Sequence, residues 1–345
     1  MTETLISVPR LDTPRLTLRP LTMGDAADIT AGIGNYDVAR WLSSVPYPYA
    51  HQDALNFIAR EGGQAMVWGI EHEGALVGVV SIRDELGFWL ARPVWGKGLG
   101  FEAARAAVQY WFSQTEHTSL VSGHFLDNHR SGLVLRSLGF KPTDIVPQEA
   151  RALSQDVLCQ KMRLTRADWQ QRETFEVRTQ RLKLRPLIRT DARALQKIAT
   201  PEVAYMVTSI PSDFTLAEAK AFINKRRWQG YPGFLLAIED QSGDVVGCIG
   251  CGGQPVTAMV FFGRDHWGKR YASEASSAFV AELFKRFPLS AIHAEHFADN
   301  PASGGIVKRL GFTRLGTQAG ESKARLEPAP IITYALTRDR FFETQ

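Results

Sequence analysis

Three segments of this sequence occur twice, in the same order and at nearly the same spacing. DTPRLTLRPLTMGDA at 12–26 recurs as RTQRLKLRPLIRTDA at 178–192, WGKGLGFEA at 95–103 as WGKRYASEA at 267–275, and DNHRSGLVLRSLGF at 127–140 as DNPASGGIVKRLGF at 299–312. The offsets are 166, 172 and 172 residues, and motifs that arose by chance would not keep this register. The chain is therefore expected to contain two copies of one fold, because the period is far longer than that of a solenoid repeat.

The length of the chain agrees with a division into two domains. Its 345 residues are long for one hydrophobic core and suit two domains of roughly equal size. We place the first domain at 1–170 and the second at 171–345, with the join in the polar stretch RADWQQRETFE.

Each copy shows the pattern of an α/β fold built on a mixed, mostly antiparallel sheet. An alternating strand ends at a proline and is followed by two amphipathic helices, and then by short strands separated by Glu-Gly, Ser-Gly and Gly-Gly turns. A glycine-rich turn then opens a helix, predicted at Phe101–Ser113 in the first copy and Ala272–Phe287 in the second. A strand, a helix ending in Leu-Gly-Phe and a closing strand complete each copy.

Composition and charge argue against a nucleic-acid-binding protein and against a membrane protein. The chain has 40 basic and 36 acidic residues, and the basic residues of its second half are scattered, which does not favour a nucleic-acid-binding surface. No apolar run approaches the roughly 18 residues of a membrane span, and the first residues, MTETLISVPRLDTPRL, do not resemble a signal peptide. A cytoplasmic protein without a membrane partner is expected.

The cysteines do not indicate a disulfide framework or a metal site. The chain contains Cys159, Cys248 and Cys251 only, which suits a reducing compartment. Cys248 and Cys251 have the spacing of half a zinc site, but they lie in a predicted strand, where positions three apart point to opposite faces. Because neither a second pair nor a nearby histidine completes four ligands, we interpret them as buried structural thiols and expect no metal.

The segment RPVWGKGLGFEA at 92–103 predicts an anion site. A strand ends, a turn with glycines at 96, 98 and 100 follows, and a helix begins, so that backbone N–H groups and the positive end of the helix dipole converge. This geometry suits a diphosphate, which glycines allow the backbone to approach closely. The spacing does not fit a Rossmann or Walker loop, and a glycine-rich turn without a ligand remains the alternative.

Together with Asn128-x-x-Ser131 and Leu138-Gly139-Phe140, this strand–turn–helix resembles the GNAT N-acetyltransferase superfamily, and more closely its ribosomal-protein N-terminal alanine/serine acetyltransferase branch. The start PRLTLRPL and the domain endings MRLTRADW and YALTRDRF are similar to that branch too, so the likeness covers almost the whole chain twice. The resemblance implies two tandem acyl-CoA N-acyltransferase folds, each with a splayed cofactor-binding strand.

The resemblance also implies where acetyl-CoA, the acyl donor, is held. The turn would bind the diphosphate through backbone N–H groups, and the exposed edge of the preceding strand would pair with the pantetheine amides. The residues concerned are Gly96, Lys97, Gly98, Leu99, Gly100 and Phe101 in the turn, and Phe88, Trp89 and Leu90 in the strand.

Acetyl transfer to an amine needs a base, an oxyanion donor and an acid for the departing thiolate. Ser131 is the candidate acid, because it matches the Asn-x-x-Ser of this branch and Leu135 replaces the tyrosine of other members; capping of the following helix is its alternative role. Asn128 would orient the pantetheine or the loop, or simply form the turn. Glu85 is the candidate base, acting through water, and an exposed hairpin residue is its alternative reading.

The second copy departs from the first at these positions. Gly98 corresponds to Arg270, Gly100 to Ala272 and Glu85 to Thr257, whereas Asn300 and Ser303 are retained. We expect Arg270 to bring a side chain to the point of closest phosphate approach, although its charge could pair with a phosphate if its backbone stays right-handed. The first domain is therefore expected to be catalytic and the second degenerate, binding acetyl-CoA weakly or not at all.

The expected function is direct acetyl transfer from acetyl-CoA to a primary amine, on a protein N-terminus or a small molecule, in a ternary complex. The predicted acceptor groove, mainly residues 35–60 with Trp41, Tyr47 and Tyr49, is apolar and aromatic, without an acidic cluster for a polyamine or aminoglycoside. Trp95 and Trp267 are expected to anchor the two turns by packing. A non-catalytic acyl-CoA-binding module is the alternative, and either a monomer or a homodimer is compatible with the sequence.

Overall fold

The computed structural model describes residues 8–62 and 66–343. Part of the N-terminal segment that was read as lacking a signal peptide, and the outermost residues of both predicted domains, lie outside this range. The chain divides into two compact units: the first extends to Gln170 and takes in Arg286–Pro288, and the second comprises Gln171–Lys285 and Leu289 onward.

Unit 1 is an eight-stranded sheet with helices packed on it. Its strands are β1 (Leu11–Asp12), β2 (Thr17–Arg19), β3 (Val67–His72), β4 (Ala75–Ile82), β5 (Leu86–Leu90), β6 (Ser119–Phe125), β7 (Lys141–Ala150) and β8 (Gln155–Thr165). Its helices are α1 (Ala26–Ile33), α2 (Tyr36–Ala39), α3 (His51–Glu61), α4 (Leu99–Gln114) and α5 (His129–Leu138), and α6 (Arg166–Glu173) begins in it. The strand order is β1-β2-β3-β4-β5-β6-β8-β7.

Unit 2 repeats this plan. Its strands are β9 (Val177–Arg178), β10 (Lys183–Pro186), β11 (Phe234–Glu239), β12 (Val245–Gly252), β13 (Thr257–Phe262), β14 (Ala291–Phe297), β15 (Thr313–Gly320) and β16 (Ala329–Thr337). Its helices are α7 (Ala192–Ile198), α8 (Pro201–Tyr205), α9 (Leu216–Arg226), α10 (Tyr271–Arg286), α11 (Pro301–Arg309) and α12 (Arg338–Glu343). The order β9-β10-β11-β12-β13-β14-β16-β15 is that of unit 1.

The predicted α/β class with a mixed, mostly antiparallel sheet is confirmed. Among the described residues of each unit, all strand pairs are antiparallel except one, β5 with β6 in unit 1 and β13 with β14 in unit 2. The helices after the glycine-rich turns begin earlier than predicted, at Leu99 and Tyr271, because the residues after each turn already adopt helical backbone. The short helices α2 and α8 were not predicted, since one turn is too short to show a period.

The parallel pair is the place where each sheet opens. In unit 1 only Leu86 of β5 is in register with a residue of β6, namely Ser122. Along the rest of its length β5 pairs with β4 alone, as far as Leu90 opposite Gly78. Because β6 diverges after Leu86, one backbone edge of β5 is left unpaired toward its C-terminal end, and the predicted splayed strand is confirmed.

An arginine in the repeated Leu-x-Leu-Arg-Pro segment fixes the first helix of each unit to the sheet. The Arg19 guanidinium donates two hydrogen bonds to Asp25, of 3.0 and 2.8 Å, and one to Glu71, of 2.7 Å. Burial raises the pKa of Asp25, but the hydrogen bonds from Arg19 and Thr22 outweigh it and hold that pKa below its ordinary value. Arg185 repeats the arrangement in unit 2, with Asp191 and Glu239 as its partners.

Candidate active site

The glycine-rich turn of unit 1 is built on two residues with left-handed backbone. Gly96 has φ +77° and Gly98 has φ +76°, and Gly98 is the residue directly before helix α4. A Cβ at Gly96 would meet no atom within 4 Å, so the space beside the turn is open. Glycine is needed at both positions by the backbone conformation itself, and the turn presents its N–H groups at the positive end of a 16-residue helix.

Gly100 serves a different purpose from the expected one. It lies inside α4 with ordinary helical backbone, and a Cβ there would come within 3.2 Å of Leu90 Cδ1 and 3.8 Å of the Phe88 ring. Its missing side chain therefore lets α4 pack closely on β5. The corresponding residue of unit 2, Ala272, carries a Cβ at the start of α10.

A buried glutamate in the first turn of α4 ties the turn to the start of the domain. Glu102, whose side chain is 3% exposed, accepts hydrogen bonds from Thr13 Oγ1 at 2.6 Å, Arg15 N at 2.8 Å and Arg15 Nε at 2.7 Å. Arg15 Nη1 then donates to the carbonyl oxygen of Lys97 at 2.8 Å. The guanidinium thus holds the turn by its backbone, between Gly96 and Gly98.

Unit 2 repeats this connection. Glu274 accepts from Thr179 Oγ1 at 2.6 Å and from Arg181 N at 2.9 Å, and Arg181 Nη1 donates to Lys269 O at 3.1 Å. Sequence reasoning assigned no role to this arginine and glutamate. The available signal was that both recur at corresponding places in the duplicated segments, in which many neighbouring residues differ.

The Trp95 indole, predicted to anchor the turn by packing, is held to the preceding strand by a hydrogen bond. Its Nε1 donates to the carbonyl oxygen of Leu90, the last residue of β5, at 2.7 Å. Trp267 makes the same bond to Phe262 O at 2.9 Å in unit 2. Each indole therefore joins the end of the splayed strand to the residue that precedes the turn.

The side chains of the predicted cofactor-binding strand point to helices on the two faces of the sheet. Phe88 and Leu90 lie against Gly100 of α4, whereas a Cβ at Gly32 of α1 would come within 2.6 Å of the Trp89 ring. This alternation leaves the backbone of the strand as the group available at the open edge. Leu99 and Phe101, also predicted near the cofactor, have buried side chains, so they too could contribute only backbone groups.

Asn128 and Ser131 lie at the start of helix α5. The Asn128 side-chain oxygen accepts a hydrogen bond from Ser131 N at 3.2 Å and caps the helix, and Asn300 caps α11 through Ser303 N at the same distance. The alternative role of Ser131 as the capping residue is therefore wrong, because Asn128 performs it. Within the described residues the Ser131 hydroxyl makes no hydrogen bond, and its residue is half-buried.

Glu85 lies in the turn directly before β5, where this strand still pairs with β6. Its carboxylate is 3.3 Å from Lys161 Nζ, and the side chain is 49% exposed. Lys161 Nζ also lies 3.4 Å from Gln148 Oε1. The carboxylate therefore lies at the closed end of the splay, where β5 begins. The glycine-rich turn follows the open end, where β5 ends five residues later.

His124 on β6 is buried beside α5. Its Nδ1 is 2.8 Å from the carbonyl oxygen of Phe125, while Nε2 is buried and has no hydrogen-bond partner among the residues that the structure describes. Burial lowers the pKa of His124, so the neutral ring is favoured. The corresponding His296 has a partner, since its Nε2 lies 3.2 Å from the Tyr334 hydroxyl, where unit 1 has Met162.

The predicted acceptor groove contains packed aromatic rings. Tyr36 and Tyr47 meet edge to face at 5.1 Å, and the Arg40 guanidinium lies over Tyr36 at 5.7 Å and Trp41 at 4.8 Å. Burial raises the pKa of Tyr49 to about 12, so this hydroxyl stays protonated at neutral pH. This segment thus carries aromatic surface beside the Arg40 cation.

All three cysteines are buried free thiols, with Cys248 and Cys251 in β12. Burial raises the pKa of Cys251 to about 12 and that of Cys248 further. In the part of the chain that the structure describes, no three His, Cys, Asp or Glu side chains are grouped as metal ligands. None of its helices is both long and apolar enough to cross a bilayer.

The turn of unit 2 keeps the left-handed backbone in spite of its arginine. Arg270 has φ +61° and Gly268 has φ +74°, close to the values of Gly98 and Gly96. The right-handed backbone that would let Arg270 pair with a phosphate is therefore not adopted. Thr257 replaces the carboxylate of Glu85, and its hydroxyl donates to Pro255 O at 3.2 Å.

A second arginine distinguishes unit 2. Arg325 precedes β16, its side chain is 6% exposed, and it donates two hydrogen bonds of 2.9 Å to the Asp299 carboxylate. Its guanidinium also lies 3.8 Å from the ring centres of both Tyr205 and Phe297. In unit 1 the corresponding end of the sheet is apolar, with Trp41 and Leu153 packed around Phe125.

Comparison with curated proteins gives relatives that each match less than half of this chain. One is an uncharacterized N-acetyltransferase of Bacillus subtilis (strain 168), YoaA, 26% identical over an alignment of 155 residues, with 41% of this chain and 87% of the relative covered. Another is the uncharacterized N-acetyltransferase p20 of Bacillus licheniformis, 27% identical over 173 residues, 47% of this chain and 96% of the relative.

Solved structures that resemble the chain include an acetyltransferase of the GNAT family from Bacillus anthracis, with 22% identity, 48% of this chain and 99% of that chain covered, and a TM-score of 0.42. RimL, a ribosomal L7/L12 alpha-N-protein acetyltransferase solved in complex with coenzyme A, has 15% identity, 46% and 98% coverage and a TM-score of 0.40.

The family "Acetyltransferase (GNAT) domain" matches the sequence twice, at residues 15–141 and 181–313. Each match begins at the arginine that holds the glycine-rich turn, Arg15 or Arg181. Together the two matches cover most of the chain, which therefore belongs to the GNAT acetyltransferase family and carries its domain in two tandem copies.

Proposed function

We propose that unit 1 transfers an acetyl group from acetyl-CoA directly to the primary amine of an acceptor, in a ternary complex. The proposal follows from one arrangement: the Gly96–Gly98 turn, with its N–H groups at the start of α4, follows the unpaired edge of β5. A diphosphate fits the open space at Gly96, and the edge of β5 offers amide groups to the pantetheine arm.

The reacting groups would meet toward the closed end of the splay. A donor anchored by its diphosphate at the turn and extended along β5 points its thioester away from the turn, toward the end of the strand at which Glu85 lies. Glu85, oriented by Lys161, would accept through water the proton that the ammonium group must lose before it can attack. The C–N bond then forms and the C–S bond breaks, and the nitrogen gives up its second proton, which restores the Ser131 hydroxyl after that residue has protonated the thiolate.

Ser131 would supply the proton that the departing thiolate takes up. Its hydroxyl is without a hydrogen-bond partner in the described residues, because Asn128 and not Ser131 caps the helix. A hydroxyl at the start of a helix is free to turn toward a developing negative charge. Asn128 is thereby a positioning residue, which holds the first turn of α5 and with it Ser131.

For unit 2 we propose a structural role with weak acetyl-CoA binding or none. Arg270 places a side chain on the left-handed residue of the turn, and Thr257 provides no carboxylate. The ion pair of the buried Arg325 with Asp299 occupies the place where unit 1 has an apolar cluster, so this end of the sheet is filled differently in the two units.

A titration and a rate measurement test the two units separately. Titration of the full chain with acetyl-CoA is expected to give one tight site, lost in Gly98→Arg. Glu85→Gln and Ser131→Ala are each expected to lower CoA release with an amine panel by about 100-fold or more, while acetyl-CoA still binds. The matched variants Thr257→Ala and Ser303→Ala in unit 2 should leave the rate unchanged. Two equal binding sites would contradict the assignment of one donor site.

For the acceptor we propose a protein N-terminal amine, with a small-molecule amine as the other class to be tested. The motifs shared with the ribosomal-protein N-terminal acetyltransferase branch support this choice, as does the aromatic groove around Tyr36 and Tyr47. Peptides with N-terminal alanine or serine should be acetylated faster than polyamines. A chain that binds acetyl-CoA but releases CoA with no amine would instead be an acyl-CoA-binding module.

A further inference from the structure

Two arginines of unit 1 lie over the same tryptophan ring beside the glycine-rich turn. The Arg92 guanidinium is 4.8 Å from the ring centre of Trp95, and that of Arg130 is 5.1 Å from it. The bond from Trp95 Nε1 to Leu90 O fixes the indole directly before Gly96. The cluster therefore joins the residue before the turn to the first turn of helix α5, in which Ser131 follows Arg130.

These cations are only partly neutralised. Arg92 has a long ion pair with Asp37, 3.6 Å between Nε and Oδ2, and both side chains are about half exposed. In the described residues Arg130 makes neither an ion pair nor a hydrogen bond, and its side chain is exposed. Lys97 adds a third exposed cation in the turn itself. The surface next to the turn is thus an arrangement of positive groups suited to an anion.

The fold does not require this second arginine. In unit 2, Trp267 keeps its bond to the strand, and Arg264 keeps a 3.6 Å ion pair, to Glu202. At the position of Arg130, however, unit 2 has Ala302, and helix α11 begins there with the same asparagine cap. Arg130 therefore belongs to what distinguishes the two units rather than to what they share.

We propose that Arg92 and Arg130 bind the 3′-phosphate of the coenzyme A donor, which makes unit 1 selective for CoA over its 3′-dephospho form. The inference rests on the proposed function, because it takes the diphosphate to lie at Gly96–Gly98. The 3′-phosphate is carried by the ribose that is esterified to this diphosphate, so its site must adjoin the turn. A phosphate monoester is nearly dianionic at neutral pH, and guanidinium groups match its oxygens in bidentate geometry.

The test compares acetyl-CoA with 3′-dephospho-acetyl-CoA by isothermal titration calorimetry on the full chain. The wild type is expected to bind acetyl-CoA about tenfold or more tightly, a difference of about 1.4 kcal/mol. Arg130→Ala, which copies the residue of unit 2, and Arg92→Ala should each reduce this preference severalfold through weaker binding of acetyl-CoA. Both should keep the wild-type affinity for the dephospho ligand. The matched control Arg264→Ala should preserve the preference.

Other results of these titrations would show whether the 3′-phosphate site alone or the proposed function as well is wrong. Equal binding of both ligands by the wild type would refute the 3′-phosphate site and leave the proposed function standing. If Arg130→Ala weakens the two ligands equally, Arg130 contacts the diphosphate or maintains the fold, and the assignment is wrong. If the wild type binds neither ligand, the proposed function and this assignment both fail.

Discussion

Replacing Arg270 with glycine should stabilise unit 2, although it removes a large side chain. Arg270 holds left-handed backbone, with φ +61°, at the position that corresponds to Gly98. Its side chain is exposed and makes no hydrogen bond or ion pair in the described part of the chain. The substitution therefore relieves backbone strain without breaking a polar contact.

The magnitude follows from two opposing contributions. A non-glycine residue in the left-handed region costs about 1–2 kcal/mol. Glycine loses more backbone entropy on folding, which takes back about 0.5–1 kcal/mol. The unfolding free energy of unit 2 should therefore rise by about 0.5–1 kcal/mol, the middle of the range that these two contributions allow, which corresponds to an increase in melting temperature of about 1–4 °C.

The assay must resolve the two units, because a two-domain chain need not unfold in one step. Urea unfolding of the full chain should be monitored by measuring hydrogen exchange in peptides of unit 2. Arg270→Ala keeps the left-handed backbone with a Cβ and should change stability little. Lys269→Gly, at a neighbour outside the left-handed region, should destabilise unit 2 by about 0.5–1 kcal/mol. If Arg270→Gly destabilises as Lys269→Gly does, the reasoning about strain is refuted.

Three further outcomes are expected. Because burial raises the thiol pKa of Cys251 to about 12 and also that of Cys248, alkylating reagents at pH 8 should label neither until urea unfolds unit 2; labelling in the native state, read by mass spectrometry, would contradict their burial. Glu102→Ala should lower the unfolding free energy by about 2–3 kcal/mol. This loss is smaller than for a fully buried ion pair, because the Arg15 side chain is 30% exposed. The same variant should bind acetyl-CoA more weakly in calorimetry. The pKa of Asp25 is lowered in the folded state from an ordinary value of 3.8, so the ionised carboxylate contributes fully to the stability of the fold above that value, and this contribution is lost as the pH falls through the folded pKa. The difference in unfolding free energy between wild type and Asp25→Asn should therefore shrink below about pH 4. A difference that does not change with pH would exclude this linkage.

The sequence predicted the elements that carry a repeated local signal. The two copies of the glycine-rich turn, each between a strand and a helix, were predicted from the sequence itself, whereas the splayed strand found in both units was expected only from the resemblance to the GNAT superfamily. The boundaries of α4 and α10 were less accurate, because the residues after the turn have helical backbone before the apolar period begins.

What the sequence could not give depends on contacts between distant segments. Glycine at 96, 98 and 100 reads as one motif, yet Gly96 and Gly98 serve the turn and Gly100 serves packing against Leu90. Whether Arg270 would keep left-handed backbone could not be derived either, because propensity alone argues against it. The fold imposes this conformation on the residue, and the surrounding turn is the same in both units.

The connection from Arg15 to the carbonyl oxygen of Lys97 makes the segment between β1 and β2 part of the proposed donor site. The two segments joined at Glu102 lie 87 residues apart in sequence, so the turn reaches its final shape only after the first hairpin has docked. Shortening the chain past Thr13 would then impair donor binding without removing any residue that faces the donor. Conversely, a bound donor would slow the detachment of that hairpin, and protease resistance near the N-terminus would report on occupancy of a turn far along the chain.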